Sequence, residues 1–395
     1  MSLSVINYDP PSQQIPNLRT VYKIPKGISV IPSSIKLLNI SITPLNASGN
    51  RVASYLPCLA GIWASVSQIE LKVNDKPVDL FLSKQMSAFK NSLGNPDFQN
   101  NIVSKLTGSN NNIFQDLDLN RESLIALPAD IVPQCMEFRL VLDYLNNRYL
   151  IDEGLSIQIT WDTQRLDWLL PGADAETPAG VNIVPGYLSY ESVMNYKVPE
   201  QNLVNFKQTI EEAIIIPNIT SDDTQQLWEQ RMNSLRDKFI TRCLFVNEPI
   251  GQNSDIQNVK NTYGRYCSMG MLNEYLNIVI DGQQKLTFKG FSNPAHKLGM
   301  CYDVFGVGSS STTSWFLPKL ASLVDDENNA LDNYYSYMGA EFNTFVNKEV
   351  VIQYNRTSTT ASSNPSMGSQ LKLYMISEVL KEHNTKTGVC TYVKH

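Results

Sequence analysis

Apolar and polar residues alternate with a period of two in several stretches, and three of these stretches recur in the same order in the second half of the chain. In residues 67–75 the apolar positions are Ile69, Leu71 and Val73, interleaved with Gln68, Glu70 and Lys72 and followed by Asn74-Asp75. Residues 274–282 repeat the arrangement: setting Leu276, Ile278 and Ile280 on Ile69, Leu71 and Val73 places Asp281-Gly282 on Asn74-Asp75. Asn, Asp and Gly tolerate the positive φ of a tight hairpin, so both stretches are predicted to be strands that run into a turn. Further on, residues 155–162 answer to 349–355, and residues 187–194 answer to 371–377. Three strand-like anchors in one order, more tightly spaced in the second copy, predict two β domains built on a single plan.

Other stretches carry the same period. Leu38-Asn39-Ile40-Ser41-Ile42 alternates, and so do residues 136–143. Met136, Phe138, Leu140 and Leu142 are predicted to share one buried face, as are Leu155, Ile157, Ile159 and Trp161, because alternate side chains of a strand point the same way. Helical signals are few. Ser221-Asp222-Asp223 has the character of an N-cap with acids in the first turn, and Leu227, Trp228, Met232 and Leu235 follow at helical spacing. Shorter helices are predicted over residues 83–93 and 320–335. Residues 1–19, with Pro10, Pro11 and Pro16, are predicted to be an arm that gains little by folding alone. Long polar loops fall at matching places in the two copies: residues 95–120, and the stretch containing Gly306-Val307-Gly308 and Asp325-Asp326-Glu327. Loops of that length inside a compact domain usually serve function or contact.

Composition sharpens this picture. Charged residues make up 18 % of the chain, so the polar surface comes largely from Asn, Ser, Thr and Gln, which suit turns and β surfaces. A net charge of −6, with Lys and Arg scattered singly, argues against direct, sequence-specific nucleic-acid binding. The first residues show no secretory pattern, and no apolar run reaches the roughly 20 residues a membrane helix needs. Six cysteines without a C-x-x-C pair read as reduced, mostly buried residues. Sequons begin at Asn39, Asn46, Asn218 and Asn355 and are expected to be unused.

Catalytic material is scarce. The three histidines, His296, His383 and His395, offer little for a triad or a metal site. His296 near Cys301 reads as an exposed loop residue. Asp222-Asp223 and Asp325-Asp326-Glu327 lack calcium-loop spacing and read as a helix start and a solvated loop. Tyr334, Tyr335, Tyr337, Phe342 and Phe345 read as β-core or interface aromatics. No phosphate-loop, nucleophile-elbow or dinucleotide signature appears. No catalytic, cofactor-binding or metal residues are therefore predicted, and no cofactor.

Two successive β domains, matching long loops, the absence of catalytic chemistry and an acidic balance together resemble the double jelly-roll major capsid proteins of tailless icosahedral double-stranded DNA viruses. That lineage includes virophages, polinton-like viruses, adenovirus hexons and membrane-containing phages. The hairpins at Asn74-Asp75 and Asp281-Gly282, and the closing segments near Val198 and Val393, carry the resemblance. It implies an all-β chain of two tandem eight-stranded jelly-roll sandwiches with long loops and a few short helices. The arm would occupy residues 1–19, the first jelly roll 20–203 and the second 204–395. It also implies a non-enzymatic structural protein of the virion, assembled in the host cytoplasm or nucleus into homotrimeric, pseudo-hexagonal capsomers. Partners would be neighbouring capsomers, penton and minor capsid proteins, and an internal membrane where the shell has one. The alternative is a tandem β-sandwich carbohydrate-binding protein or adhesin, which the Asn-rich loops and sparse charge also fit. A glycoside-active β enzyme, with two facing carboxylates, is a third reading.

Overall fold

A computed structural model of the chain describes residues 3–51, 54–55, 65–82, 134–162, 170–171, 179–194, 200–216, 226–250, 275–289, 338–356 and 370–394. The strands of the first half are β1 (Leu3–Asp9), β2 (Gln13–Ile15), β3 (Arg19–Ile24), β4 (Val30–Leu45), β5 (Ser54–Tyr55), β6 (Val66–Val73), β7 (Lys76–Leu82), β8 (Gln134–Glu137), β9 (Leu155–Trp161), β10 (Leu170–Pro171), β11 (Gly180–Val184) and β12 (Tyr187–Met194). Those of the second half are β13 (Leu203–Ile216), β14 (Gln226–Met232), β15 (Lys238–Ile250), β16 (Tyr275–Ile280), β17 (Gln283–Lys289), β18 (Met338–Val346), β19 (Val350–Arg356), β20 (Gln370–Asn384) and β21 (Val389–Tyr392).

Strand order makes the repeat explicit. In the second half the sheets run β13-β20-β15-β18 and β14-β19-β16-β17. Numbered along the copy, these are strands 1-8-3-6 and 2-7-4-5. In the first half β1, β3, β4, β6, β7, β8, β9 and β12 reproduce both orders, as β1-β12-β4-β8 and β3-β9-β6-β7. Each copy is an eight-stranded antiparallel jelly roll. The extra strands are attachments: β2 pairs β3, β11 extends the pairing of β4, β5 pairs β10, and β21 pairs β20.

Register agrees with the predicted alignment of the two hairpin strands and sets Ile157 on Ile352. Leu71 pairs with Ile157 and Val73 with Leu155 in the first copy; Ile278 pairs with Ile352 and Ile280 with Val350 in the second. Both hairpins turn through positive φ, at 49° and 61° for Asn74 and Asp75 and at 51° and 77° for Asp281 and Gly282. The third anchor also holds, since β12 and β20 are each the eighth strand of their copy.

The core follows the alternation. Leu155, Ile157, Ile159 and Trp161 are all buried, with Gln158 and Thr160 half-buried between them. Tyr22 on β3 is buried and its hydroxyl donates to the carbonyl of Pro185 at 2.7 Å, just before β12, so one side chain ties the two sheets together. Close packing here requires Gly186, whose φ is +75° and whose added Cβ would lie 2.0 Å from the Leu38 carbonyl oxygen.

Four expectations are corrected. Residues 3–9 are not an arm: β1 pairs along its whole length with β12, from Leu3 against Met194 to Asp9 against Leu188. The prolines at 10 and 11 end this strand without preventing it, and its partner is too distant in sequence to be anticipated. The helix predicted from Ser221 is, over Gln226–Met232, a strand paired with β19, ending in a 3-10 turn at Asn233–Leu235. Leu227, Trp228 and Met232 satisfy a helical spacing, but the pairing partner decides the backbone. The strand predicted over 136–143 stops at Glu137 and continues as 3-10 turns; Met136, Phe138 and Leu142 are nevertheless buried, and so is Val141. In β4 the alternation breaks at Asn39, whose φ of 59° accompanies a register shift between Leu37 and Ile40. The helices predicted over 83–93 and 320–335 lie outside the described residues, as do the long loops.

Contacts divide the chain into two compact units. One comprises Met1–Gly94, Phe98–Thr209 and Leu380–Tyr392, the other chiefly Ile210–Val379. The expected boundary at 203/204 marks where β13 begins, but the first residues of β13, the end of β20 and all of β21 pack with the first unit.

Candidate functional site

The outer face of the first unit's β1-β12-β4-β8 sheet carries an open groove of about 280 Å³. Alternation along β1 sends Ile6 and Tyr8 outwards, each 61 % exposed, while Val5 and Asn7 turn towards the sandwich. Ser189 and Glu191 of β12 stand opposite them in register, and Lys36 of β4 pairs with Glu137 of β8. Arg139 Nε meets Glu137 Oε2 at 2.8 Å. The charged groups around the groove thus include both signs, with exposed apolar side chains between them. That mixture fits the edge of a protein contact better than a small-molecule pocket, which is usually enclosed and mainly apolar.

A second constellation lies inside the same unit. Asp79 is buried and accepts hydrogen bonds from the backbone N–H groups of Leu80 at 2.8 Å and Tyr144 at 3.1 Å. The Tyr144 hydroxyl lies 3.0 Å from Nδ1 of His383, and its ring meets Phe206 edge-on at 5.3 Å. Arg148 donates to both carboxylate oxygens of Glu153, at 3.0 and 2.8 Å. Lys381 reaches the Val78 carbonyl and lies over the rings of Phe206 and Tyr392. Burial pushes the Asp79 carboxyl up to about 7 and holds the His383 imidazole below its ordinary value.

These two shifts act in opposite directions on stability. The folded chain keeps a proton on Asp79 that the unfolded chain releases above about pH 4, so this group makes stability fall as pH rises from about 4 to 7. His383 refuses a proton that the unfolded chain accepts at its ordinary pKa of 6.5, so stability falls as pH drops below that value. Below about pH 6.5 the two slopes oppose each other and largely cancel, whereas between about 6.5 and 7 Asp79 acts alone and the melting temperature of the first unit is expected to fall. Asp79→Asn should leave stability rising with pH up to about 6.5, and His383→Phe should leave it falling from about pH 4 to 7, as read from melting curves between pH 4.5 and 8.5.

In the second unit Asp281 closes the hairpin turn onto the loop before β19. Its carboxylate accepts from the N–H groups of Asn347 at 2.8 Å, Lys348 at 2.7 Å and Glu349 at 3.1 Å. Burial alone would raise its pKa; these N–H groups outweigh it and hold the carboxyl below the usual value. In the first copy Asn74 N–H donates to the Gly154 carbonyl, just as Asp281 N–H donates to Glu349. Asp281→Ala should cost about 1–3 kcal/mol in urea denaturation, because three N–H groups lose their acceptor.

The residues weighed in the sequence fall in different places. His383 is buried, whereas His296, His395, Asp222-Asp223 and Asp325-Asp326-Glu327 lie outside the described residues. Cys135, Cys243 and Cys390 are free thiols; Cys58, Cys267 and Cys301 are not described. Phe342 and Phe345 are half-buried on β18, while Tyr334, Tyr335 and Tyr337 are not described. Asn39 is exposed, and the Asn46 side chain accepts from the N–H groups of Ser48 and Asn50 within its own turn. Among the described residues no group of three or more His, Cys, Asp or Glu could hold a metal, and no helix is long and apolar enough to cross a membrane. The Asp79–Tyr144–His383 cluster escaped sequence reasoning because its members are separated by 65 and 239 residues.

Two jelly rolls of one strand order in a single chain define the double jelly-roll fold. No family model and no curated protein matches the sequence. Solved structures do match in fold. A chain of the Sputnik virophage, determined by cryo-electron microscopy, superposes with a TM-score of 0.59 at 10 % identity, covering 99 % of this chain and 88 % of that one. The mavirus major capsid protein gives 0.54 at 10 % identity, covering 98 % and 89 %, and the PBCV-1 virus capsid gives 0.52 at 9 %, covering 100 % and 97 %.

Proposed function

We propose that this chain is a major capsid protein, a structural subunit of an icosahedral virion that forms pseudo-hexagonal homotrimeric capsomers. The observation that carries the reading is the exact reuse of one eight-strand order, 1-8-3-6 and 2-7-4-5, twice in a single chain. A trimer of such a chain presents six similar units, which suits packing in a six-fold lattice. The near-complete coverage of the Sputnik and mavirus chains supports the same conclusion. Exposed Ile6 and Tyr8, ringed by charges of both signs, supply a surface suited to contact with other subunits. The partners are further copies of this chain, neighbouring capsomers, penton and minor capsid proteins, with an internal membrane beneath the shell in lineages that carry one. The role needs neither catalysis nor a cofactor.

Mass in solution tests it. Three chains of 44.4 kDa give a trimer of roughly 130 kDa that persists on dilution. A monomer at high protein concentration that binds glycans specifically would overturn the proposal in favour of a tandem-sandwich lectin. Because residues 3–9 are a strand of the first sandwich, their removal is a poor probe of assembly; charge reversal at Lys36 or Glu191 on the outer face is a cleaner one.

A further inference from the structure

Folding treats the sequons differently. In Asn39-Ile40-Ser41 the backbone belongs to β4, where Leu38 pairs with Tyr187 of β12, Ser41 with Val184 of β11 and Ile40 with Gln134 of β8. Asn355 of β19 pairs with both Leu227 and Tyr275, and Asn218 lies outside the described residues. Asn46-Ala47-Ser48 is in a turn. The bridge between Leu45 and Arg51 closes it, with Asn46 N–H donating to the Asn50 carbonyl at 2.8 Å and Gly49 N–H to the Asn46 carbonyl at 2.9 Å. Ala47, Ser48, Gly49 and Asn50 are all exposed, and Asn46 is partly so. Asn46 Oδ1 accepts from the N–H groups of Ser48 at 3.0 Å and Asn50 at 2.9 Å. The carboxamide oxygen therefore faces into the turn, which directs Nδ2 to the other side of the group.

We propose that Asn46 is an N-glycosylation site of the folded chain and that Asn39 and Asn355 are not. A transferase must take the Asn-x-Ser backbone into its own cleft, with the carboxamide and the hydroxyl both within reach. An exposed turn can enter such a cleft as it stands. A strand paired along both edges must first give up its ladder hydrogen bonds. The donor is a nucleoside-diphosphate sugar. The bond from its anomeric carbon to the diphosphate oxygen breaks and a bond from that carbon to Asn46 Nδ2 forms. The nucleoside diphosphate leaves with the electron pair, and Nδ2 gives up one proton. The expectation that the sequons go unused rests on the secretory route. A soluble transferase acting on the folded chain needs no such route.

Trypsin releases Asn39 and Asn46 together in residues 37–51, so one peptide carries the site and its control. In chain isolated from its natural source, electron-transfer fragmentation of that peptide should place a glycan on Asn46 and none on Asn39. Incubation of the full folded chain with UDP-glucose and a soluble N-glucosyltransferase should give the same pattern, whereas a synthetic peptide of residues 37–51 should take sugar at both. Ser48→Ala removes the hydroxyl but keeps the N–H that donates to Asn46 Oδ1, so it should abolish the modification and leave Tm unchanged. A bare Asn46 in the natural chain would overturn the proposal. So would sugar on Asn39 of the folded chain, or a modified Asn46 that persists in Ser48→Ala.

Discussion

A chain ending at Val379 should fail to fold its first unit. Residues 380–392 are the end of β20, a turn and β21, and they pack with that unit although they come last in the sequence. Without them the Tyr144 hydroxyl loses His383, the Val78 carbonyl loses Lys381, and the Gln201 carbonyl loses the Thr385 hydroxyl at 2.8 Å. Tyr144 and Phe206, among the largest fully buried side chains, lose part of their cover. Losing the buried Tyr144–His383 bond costs about 1–3 kcal/mol, the two part-buried bonds add about 0.5–1.5 kcal/mol each, and uncovering the aromatics adds a comparable amount. Against a typical domain stability of about 5–15 kcal/mol, the deficit is sufficient to unfold the unit. Near-ultraviolet circular dichroism and limited proteolysis check this. A truncated chain with the full aromatic signal and an unchanged melting curve would refute it.

Arg242→Met should destabilise the second unit by about 3–5 kcal/mol at neutral pH. Glu378 on β20 is buried, and Arg242 on β15, its partner in register, holds the carboxylate through Nε at 2.5 Å and Nη2 at 3.0 Å. Methionine keeps much of the volume but leaves a negative charge without its counter-ion in a low-dielectric setting. A buried carboxylate that has lost this guanidinium takes up a proton more readily, so the deficit should shrink as pH falls towards 5. Adding Glu378→Gln to Arg242→Met should recover part of the loss at pH 7, because the uncompensated charge is gone. Chemical denaturation of the single and double variants at pH 5 and 7 measures each term. A loss that does not change with pH would assign the effect to packing and not to charge.

How much of this was legible in the chain depended on the range of the interactions. The hairpins at Asn74-Asp75 and Asp281-Gly282 were readable because turn chemistry and alternation act over a few residues. The buried face of β9 was readable for the same reason. β1 was not: Ile6 and Tyr8 look apolar in sequence yet face outwards, and what makes residues 3–9 a strand is a partner some 185 residues away. β14 was misread because Trp228 and Met232, four residues apart, suit either period, and only β19 settles which one applies.

The sequence by itself therefore determined the fold class, the duplication and the register that relates the two copies, all of which follow from local alternation and turn residues repeated in order. The tertiary structure alone decided which residues complete each unit and which polar groups meet inside it. Leu380–Tyr392 joins the first unit, and Asp79, Tyr144 and His383 come together from three separate stretches. Such meetings arise from sheet pairing between distant strands, and no pattern of neighbouring residues encodes them.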